Sequence, residues 1–204
     1  MKLYGFPRSP NTRKVQAVAA HIGVPMEFEF IDITRGKSRM PEFLAMNPNG
    51  KTPVLVDDDF RLWESNAIMQ YVAERKKNDL WPDAARIRAD ITRWQCWQLS
   101  QWSEGCATLT WENLAKKLTG KGDPDPVVVA RAEQAFHRDA KVLDAHLEKH
   151  PYLVNDRLTL ADFSVAAPLA SAERAKMPLA SYENIQAWYA RIAALPAWRE
   201  TSPT

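Results

Sequence analysis

From Lys2 to Gly23 the chain reads KLYGFPRSPNTRKVQAVAAHIG, a strand, a tight corner and an amphipathic helix. No other stretch restricts the fold as much. Lys2-Leu3-Tyr4-Gly5-Phe6 alternates apolar with small or polar residues, as a half-buried strand does. Ser9 is a favoured N-cap residue, and Pro10 at the first helical position loses no useful N–H. Val15, Val18, Ala19 and Ile22 recur at helical spacing, and Gly23 stands where helices commonly stop. The corner therefore offers a hydroxyl at the positive end of a helix, beside N–H groups without an intrahelical partner. That environment favours an anion, a thiolate included. The residues alone leave two readings of Ser9, a helix cap or a group presented to a ligand. The two are compatible, since a hydroxyl accepts through its lone pairs and still donates one proton.

Met26 to Ile33 alternates at its start, which predicts a strand with Met26, Phe28 and Phe30 on one face. Strand, helix and strand so close in sequence imply a parallel pair with a right-handed crossover. Thr34 to Met46 is polar and broken. Asn47-Pro48-Asn49-Gly50 reads as a turn, followed by Thr52-Pro53 and a strand from Val54 to Asp57. Phe60 to Trp63 is its antiparallel partner across the Asp57-Asp58-Asp59 tip. Ser65 or Asn66 then caps a helix carrying Ile68, Tyr71 and Val72 on one face.

The period breaks over Lys76 to Asp83, and beyond it the pattern is helical. Residues 1–76 read as an α+β domain, 77–83 as a linker and 84–204 as an all-helical domain. One long helical segment runs from Ala84 to about Leu118 with an expected bend near Gly105. A loop covers 119–126, a helix runs over 127–148, and further helices lie near 160–175 and 184–194, with a turn around Trp198. Thr159 with Asp162 three residues on forms a capping-box pattern, flanked by Leu158 and Phe163 as a hydrophobic staple. This is a folding element.

Composition enters as a set of exclusions. An apolar share of 46% with eight tryptophans over 204 residues describes a packed globular chain. A formal charge of +2 without a continuous basic stripe argues against nucleic acid. Cys96 and Cys106 lack C-x-x-C spacing and are expected to be reduced. Without an apolar leader at Met1–Pro7 or a run long enough to span a bilayer, a soluble cytoplasmic protein is expected, with no membrane partner. His146 and His150, four apart, lack the carboxylate motif of a metal helix, so no metal is expected.

Four segments together resemble the cytosolic glutathione transferase superfamily. They are Ser9-Pro10-Asn11-Thr12-Arg13-Lys14-Val15, Asn47-Pro48-Asn49-Gly50-Lys51-Thr52-Pro53-Val54, Trp63-Glu64-Ser65-Asn66-Ala67-Ile68 and Thr159-Leu160-Ala161-Asp162. The resemblance spans nearly the whole chain and is of the bacterial, phi- and theta-like serine type. It implies a thioredoxin-like N-terminal domain followed by an all-α helical bundle, and glutathione as co-substrate with no further cofactor.

Carried onto matching positions, the resemblance makes Ser9 the catalytic hydroxyl. Thr52 before a cis Pro53 holds the cysteinyl main chain, as an added strand would. Glu64 and Ser65 take the γ-glutamyl end, and Lys51 with Arg39 takes the glycyl carboxylate. The chain has Ser38-Arg39 where phi-type relatives tend to have a His–Lys pair, and Asn49 where they have an aromatic. Asn11 matches relatives in which an Asn faces the sulfur. Arg13 has two readings, adding to the field at the sulfur or lying in solvent.

The implied reaction is attack of the glutathione thiolate on a small electrophile bound between the corner and the long helix, where Trp94, Trp97, Trp102, Cys106 and Trp111 are available. A homodimer is implied as well. Two alternatives stand beside it, a glutathione-dependent disulfide or peroxide reductase using Asn11, and a non-enzymatic interaction module of the same fold.

Overall fold

The computed structural model describes residues 1–202. Its internal contacts divide the chain into two compact units, Met1–Pro82 joined by the chain from Ala194 onward, and Asp83–Ala193.

The first unit contains β1 (Lys2–Gly5), α1 (Pro10–Ile22), β2 (Glu27–Phe30), 3-10 turns at Ile33–Arg35 and Lys37–Arg39, α2 (Pro41–Leu44), β3 (Val54–Asp57), β4 (Phe60–Trp63) and α3 (Ser65–Ala73). The sheet order is β2-β1-β3-β4. β1 and β2 are parallel, while β1–β3 and β3–β4 are antiparallel, as the β-α-β and hairpin patterns require. Leu3, Val15, Val18, Val54, Leu55, Ile68, Met69 and Val72 are fully buried, so α1 and α3 pack their apolar stripes over this sheet. Gly23 stops α1 at φ 70°, where a side chain would be strained, and Val24 N–H returns to Ala19 O at 2.9 Å. β2 is the expected parallel neighbour of β1. It is an edge strand, and Phe30 stays about half exposed, its ring 6.0 Å from that of Phe6.

The all-helical domain expected over 84–204 corresponds to a compact unit of Asp83–Ala193. α10 (Pro196–Glu200) packs with the first unit, against α1. The tie is Arg13, whose Nη2 donates to Trp198 O at 2.8 Å and to Ser202 Oγ at 2.9 Å. The guanidinium carbon lies 4.3 Å from the centre of the Trp198 ring. Arg13 is 6% exposed, so the reading of it as a solvated charge does not hold. A buried guanidinium needs acceptors, and the C-terminal segment supplies them.

The second unit opens with uninterrupted helix from Ala85 to Leu118, made of α4 (Ala85–Trp97), α5 (Ser103–Thr110) and α6 (Lys116–Leu118) joined by π-helical turns at Gln98–Trp102 and Trp111–Ala115. α7 (Pro126–Leu147) is capped by the Asp125 carboxylate. α8 (Leu160–Ala166) continues as a 3-10 turn, Ala167–Ser171, and α9 (Glu183–Ala193) follows. Trp94, Trp102 and Cys106 are core residues. Trp102 packs 4.9 Å from Phe136 and donates to Val165 O at 3.0 Å, whereas Trp111 is exposed beneath Lys121.

Gly105 has a packing reason. A Cβ there would stand 2.7 Å from Phe136 N and 3.0 Å from Ala132 O, so only glycine lets α5 approach α7 this closely. Gly105→Ala is expected to cost about 1–3 kcal/mol. At about 2–4 °C per kcal/mol the melting temperature falls measurably, and an unchanged thermal melt would refute the contact.

His146 accompanies Leu153 O at 3.1 Å, while His150 lies beyond the end of α7 and pairs with Asp156. Among the described residues no three His, Cys, Asp or Glu side chains gather as a metal requires, and no helix is long and apolar enough to cross a membrane.

Candidate functional site

The sheet register gathers the singled-out residues of the first unit. Tyr4 pairs with Val54, and Val54 pairs with Trp63. The chain leaving β1 toward Ser9, entering β3 through Thr52-Pro53 and leaving β4 into Glu64-Ser65 therefore meets at one end of the sheet. Three segments far apart in sequence are brought together by strand pairing alone.

Ser9 stands at the N-cap of α1, with φ −78° and ψ 125°. Its backbone serves the corner, since Ser9 N–H donates to Phe6 O at 2.9 Å and Arg13 N–H donates to Ser9 O at 3.0 Å. Its side chain makes no capping hydrogen bond. The cap-only reading of Ser9 therefore fails, and the hydroxyl sits half-buried at the positive end of the helix, uncommitted to it. Two ties join this helix to α3. Ser65 Oγ donates to Asn11 Oδ1 at 3.3 Å, and Lys14 Nζ donates to Asn66 Oδ1 at 2.6 Å.

The Thr52–Pro53 bond is cis. The preceding turn is pinned by Asn47, which is buried. Its amide donates to Lys51 O at 2.7 Å, and its carbonyl accepts from Asn49 N–H and from Asn49 Nδ2, both at 3.0 Å. Arg39 lies across the same turn, donating to Asn49 O at 3.2 Å. Both Arg39 and Lys51 are exposed. Arg39 is thus tied to this turn, while Lys51, directly before Thr52, is exposed.

Glu64, not Ser65 or Asn66, occupies the N-cap of α3. Its φ of 71° with ψ of 107° is a conformation that costs a non-glycine residue about 1–3 kcal/mol. The carboxylate makes no capping bond and is exposed. Ser65 is buried at the first helical position. An acid and a hydroxyl at a helix start suit an amino-acid group, the ammonium on the acid and the carboxylate on the hydroxyl and free N–H groups.

The arrangement as a whole fits an extended, peptide-like ligand. One end carries an ammonium and a carboxylate, the other a carboxylate near Lys51 and Arg39, and an anionic centre lies near Ser9. Of the eight residues singled out for the site, Ser9, Asn11, Lys51, Thr52, Pro53, Glu64 and Ser65 belong to these three segments, while Arg39 comes from the 3-10 turn at Lys37–Arg39 and reaches them through Asn49 O. Asn47, Lys14 and Asn66 gain roles that sequence reasoning did not assign. Asn47 had a signal, as the first residue of an Asn-Pro-Asn-Gly turn, because Asn side chains close such turns through their own backbone.

Known proteins resemble this chain over nearly its whole length. The family model described as "Glutathione S-transferase, N-terminal domain" matches residues 1–74, and "Glutathione S-transferase, C-terminal domain" matches residues 126–191. Glutathione S-transferase 3 of Zea mays is 35% identical over 207 residues, which cover 98% of this chain and 92% of that protein. Among solved structures, the theta class glutathione S-transferase of Xanthomonas axonopodis pv. citri, crystallised with glutathione bound, superposes with a TM-score of 0.90 at 30% identity. That similarity covers 100% of this chain and 97% of the other. Glutathione transferase F7 of Populus trichocarpa gives a TM-score of 0.89 at 26% identity, covering 98% and 96% of the two chains.

Proposed function

Because the chain belongs to the glutathione S-transferase family, we propose that it conjugates the thiolate of glutathione to small electrophiles, at the end of the sheet where Ser9, Thr52 and Glu64 converge. The convergence of these three segments by strand register is the observation that carries the reading. In the reaction the sulfur lone pair attacks an electrophilic carbon and forms a C–S bond. The leaving group departs with its bonding electrons, and the thiol proton is released to solvent.

Ser9 is assigned the donor to the sulfur. The main chain at Thr52, beside Pro53, pairs with the cysteinyl residue. Glu64 accepts the γ-glutamyl ammonium, while Ser65 and the start of α3 receive its carboxylate. Lys51 and Arg39 face the glycyl carboxylate, and Asn11 acts from behind by holding Ser65. A homodimer working in the cytoplasm is the assembly and location that suit this reading.

An isothermal titration with glutathione, followed by an assay of chloride release from a chlorodinitrobenzene, tests it. Saturable binding at millimolar glutathione with enzyme-dependent chloride release is expected. Absence of both would leave the fold as a non-enzymatic module.

A further inference from the structure

β2 is one outer edge of the sheet, and among the described residues no strand pairs with its free side. Glu27 N–H donates to Met1 O at 3.1 Å and Ile31 N–H donates to Gly5 O at 2.8 Å, so Glu27, Glu29 and Ile31 turn their main chain to β1. The N–H and C=O groups of Phe28 and Phe30 therefore point outward, a template to which an extended chain can add. The two faces beside this edge differ. A Cβ on Gly5 would meet both Thr12 of α1 and the Phe28 ring, so Phe28 and Phe30 share the face under α1. There Gln16, Ala19 and Ala20 of the helix, with Val24, Met26 and Phe28, line a groove of about 210 Å³. Phe30, two residues along the same face, is 53% exposed. On the other face the side chains of Glu27 and Glu29 are 70% and 49% exposed and share Lys2, at 3.1 and 3.0 Å. One ammonium between two carboxylates leaves a surplus of negative charge.

We propose that the free edge of β2 is a docking site for an extended peptide in which apolar residues alternate with lysine or arginine. The peptide adds beside β2 and pairs its main chain with Phe28 and Phe30. Successive side chains of a strand point to opposite faces, so its apolar residues enter the groove beside α1 while its basic residues fall beside Glu27 and Glu29. A second copy of this chain fits the same edge poorly. Antiparallel pairing of β2 with β2 sets Glu29 opposite Glu29, or Glu27 opposite Glu29, and like charges directly opposite are destabilising. The acids thus turn away a like edge and favour a basic one, while the groove and the half-exposed Phe30 supply the apolar contact. β2 spans four residues, so the contact is short and the complex weak and exchangeable. None of the residues assigned to glutathione takes part, and the inference does not rest on that assignment.

The test is fluorescence anisotropy of a labelled hexapeptide of alternating lysine and valine, titrated with the full chain. Saturable binding with a Kd of about 10–500 μM is expected, weakening as salt rises. No saturation at about 1 mM protein overturns the proposal. A glutamate–valine peptide of the same length should bind at least about tenfold more weakly, and equal binding of the two peptides overturns the proposal. Phe30→Pro removes one outward N–H while leaving the β1 ladder its donors, and should weaken binding of the lysine–valine peptide about tenfold. Parent-like affinity in a variant that still melts cooperatively overturns the proposal. If Phe30→Pro does not fold, a lysine–valine peptide methylated on its backbone nitrogens takes its place with the parent protein. Binding about tenfold weaker then supports strand addition, and equal binding overturns it. Sedimentation velocity covers the remaining occupant: self-association that Phe30→Pro abolishes assigns the edge to a second copy and overturns the peptide.

Discussion

Asp162→Ala is expected to abolish cooperative folding of the helical unit. Asp162 is fully buried at the start of α8, and its carboxylate collects four donors. Leu153 N–H and Trp188 Nε1 reach Oδ1 at 3.0 and 2.9 Å, while Thr159 N–H and Oγ1 reach Oδ2 at 2.8 and 3.2 Å. Only the Thr159 contacts belong to the capping box. The other two fasten the loop before α8 and the middle of α9 to the same carboxylate. An alanine leaves three N–H donors buried, and each unsatisfied donor costs about 1–3 kcal/mol. A domain with about 5–15 kcal/mol of total stability does not tolerate that sum. Circular dichroism of the purified variant should show no cooperative melt, or the variant should not be recovered in soluble form. A melt within a few degrees of the parent would show that the carboxylate does not organise this unit.

The same group has a pH signature. Burial pushes the Asp162 carboxyl up to about 6, against the pull of its donors. An acid raised in the folded state binds its proton more readily there than when unfolded. Its contribution to stability is therefore fully present below the ordinary value of 3.8 and is lost as pH rises through about 6. Between pH 7 and pH 5 this residue should offset part of the destabilisation that acid brings elsewhere. Comparing parent with Asp162→Asn in thermal melts across that range should show the gap widening in the parent's favour toward pH 5.

The fold was largely legible because its periods are clean. Val15, Val18 and Ile22 mark the inner face of α1, and the strands at 54–57 and 60–63 flank an acidic tip, so local pattern sufficed. The capping box was legible for the same reason, since its two members lie three residues apart. What escaped the sequence was set by distance along the chain. Arg13 meets Trp198 and Ser202 more than 180 positions away, and no local rule links them. Lys14 follows Arg13 with no local mark of burial, yet it is fully buried in the packed first unit. Gly105 read as a bend, and its packing role was hidden because the close approach of α7 comes from a segment about thirty positions on. For Ser9 the type and place were readable, but whether its hydroxyl was spent on the cap was not, since that depends on a side-chain torsion.

That uncommitted hydroxyl leads to the second large effect, a loss of about 10²–10³ in kcat/KM for Ser9→Ala near pH 6.5, the scale seen when one preorganised donor to a developing anion is removed. A thiol with a pKa near 8.5 is only a few per cent ionised at pH 7. Lowering it by about two units requires about 2.7 kcal/mol of preference for the thiolate. The Ser9 proton and the N–H groups opening α1 are the groups in place to supply it. The deficit should shrink toward pH 9, because the thiolate then forms without help. Asn11→Ala should behave differently. Asn11 accepts from Ser65, so its loss should raise KM for glutathione while leaving the ionisation of the bound thiol intact. An ultraviolet titration of enzyme-bound thiolate in the three proteins separates the cases. If Asn11→Ala rather than Ser9→Ala restores the ordinary thiol pKa, the sulfur faces the amide, and disulfide reduction becomes the chemistry this corner is built for.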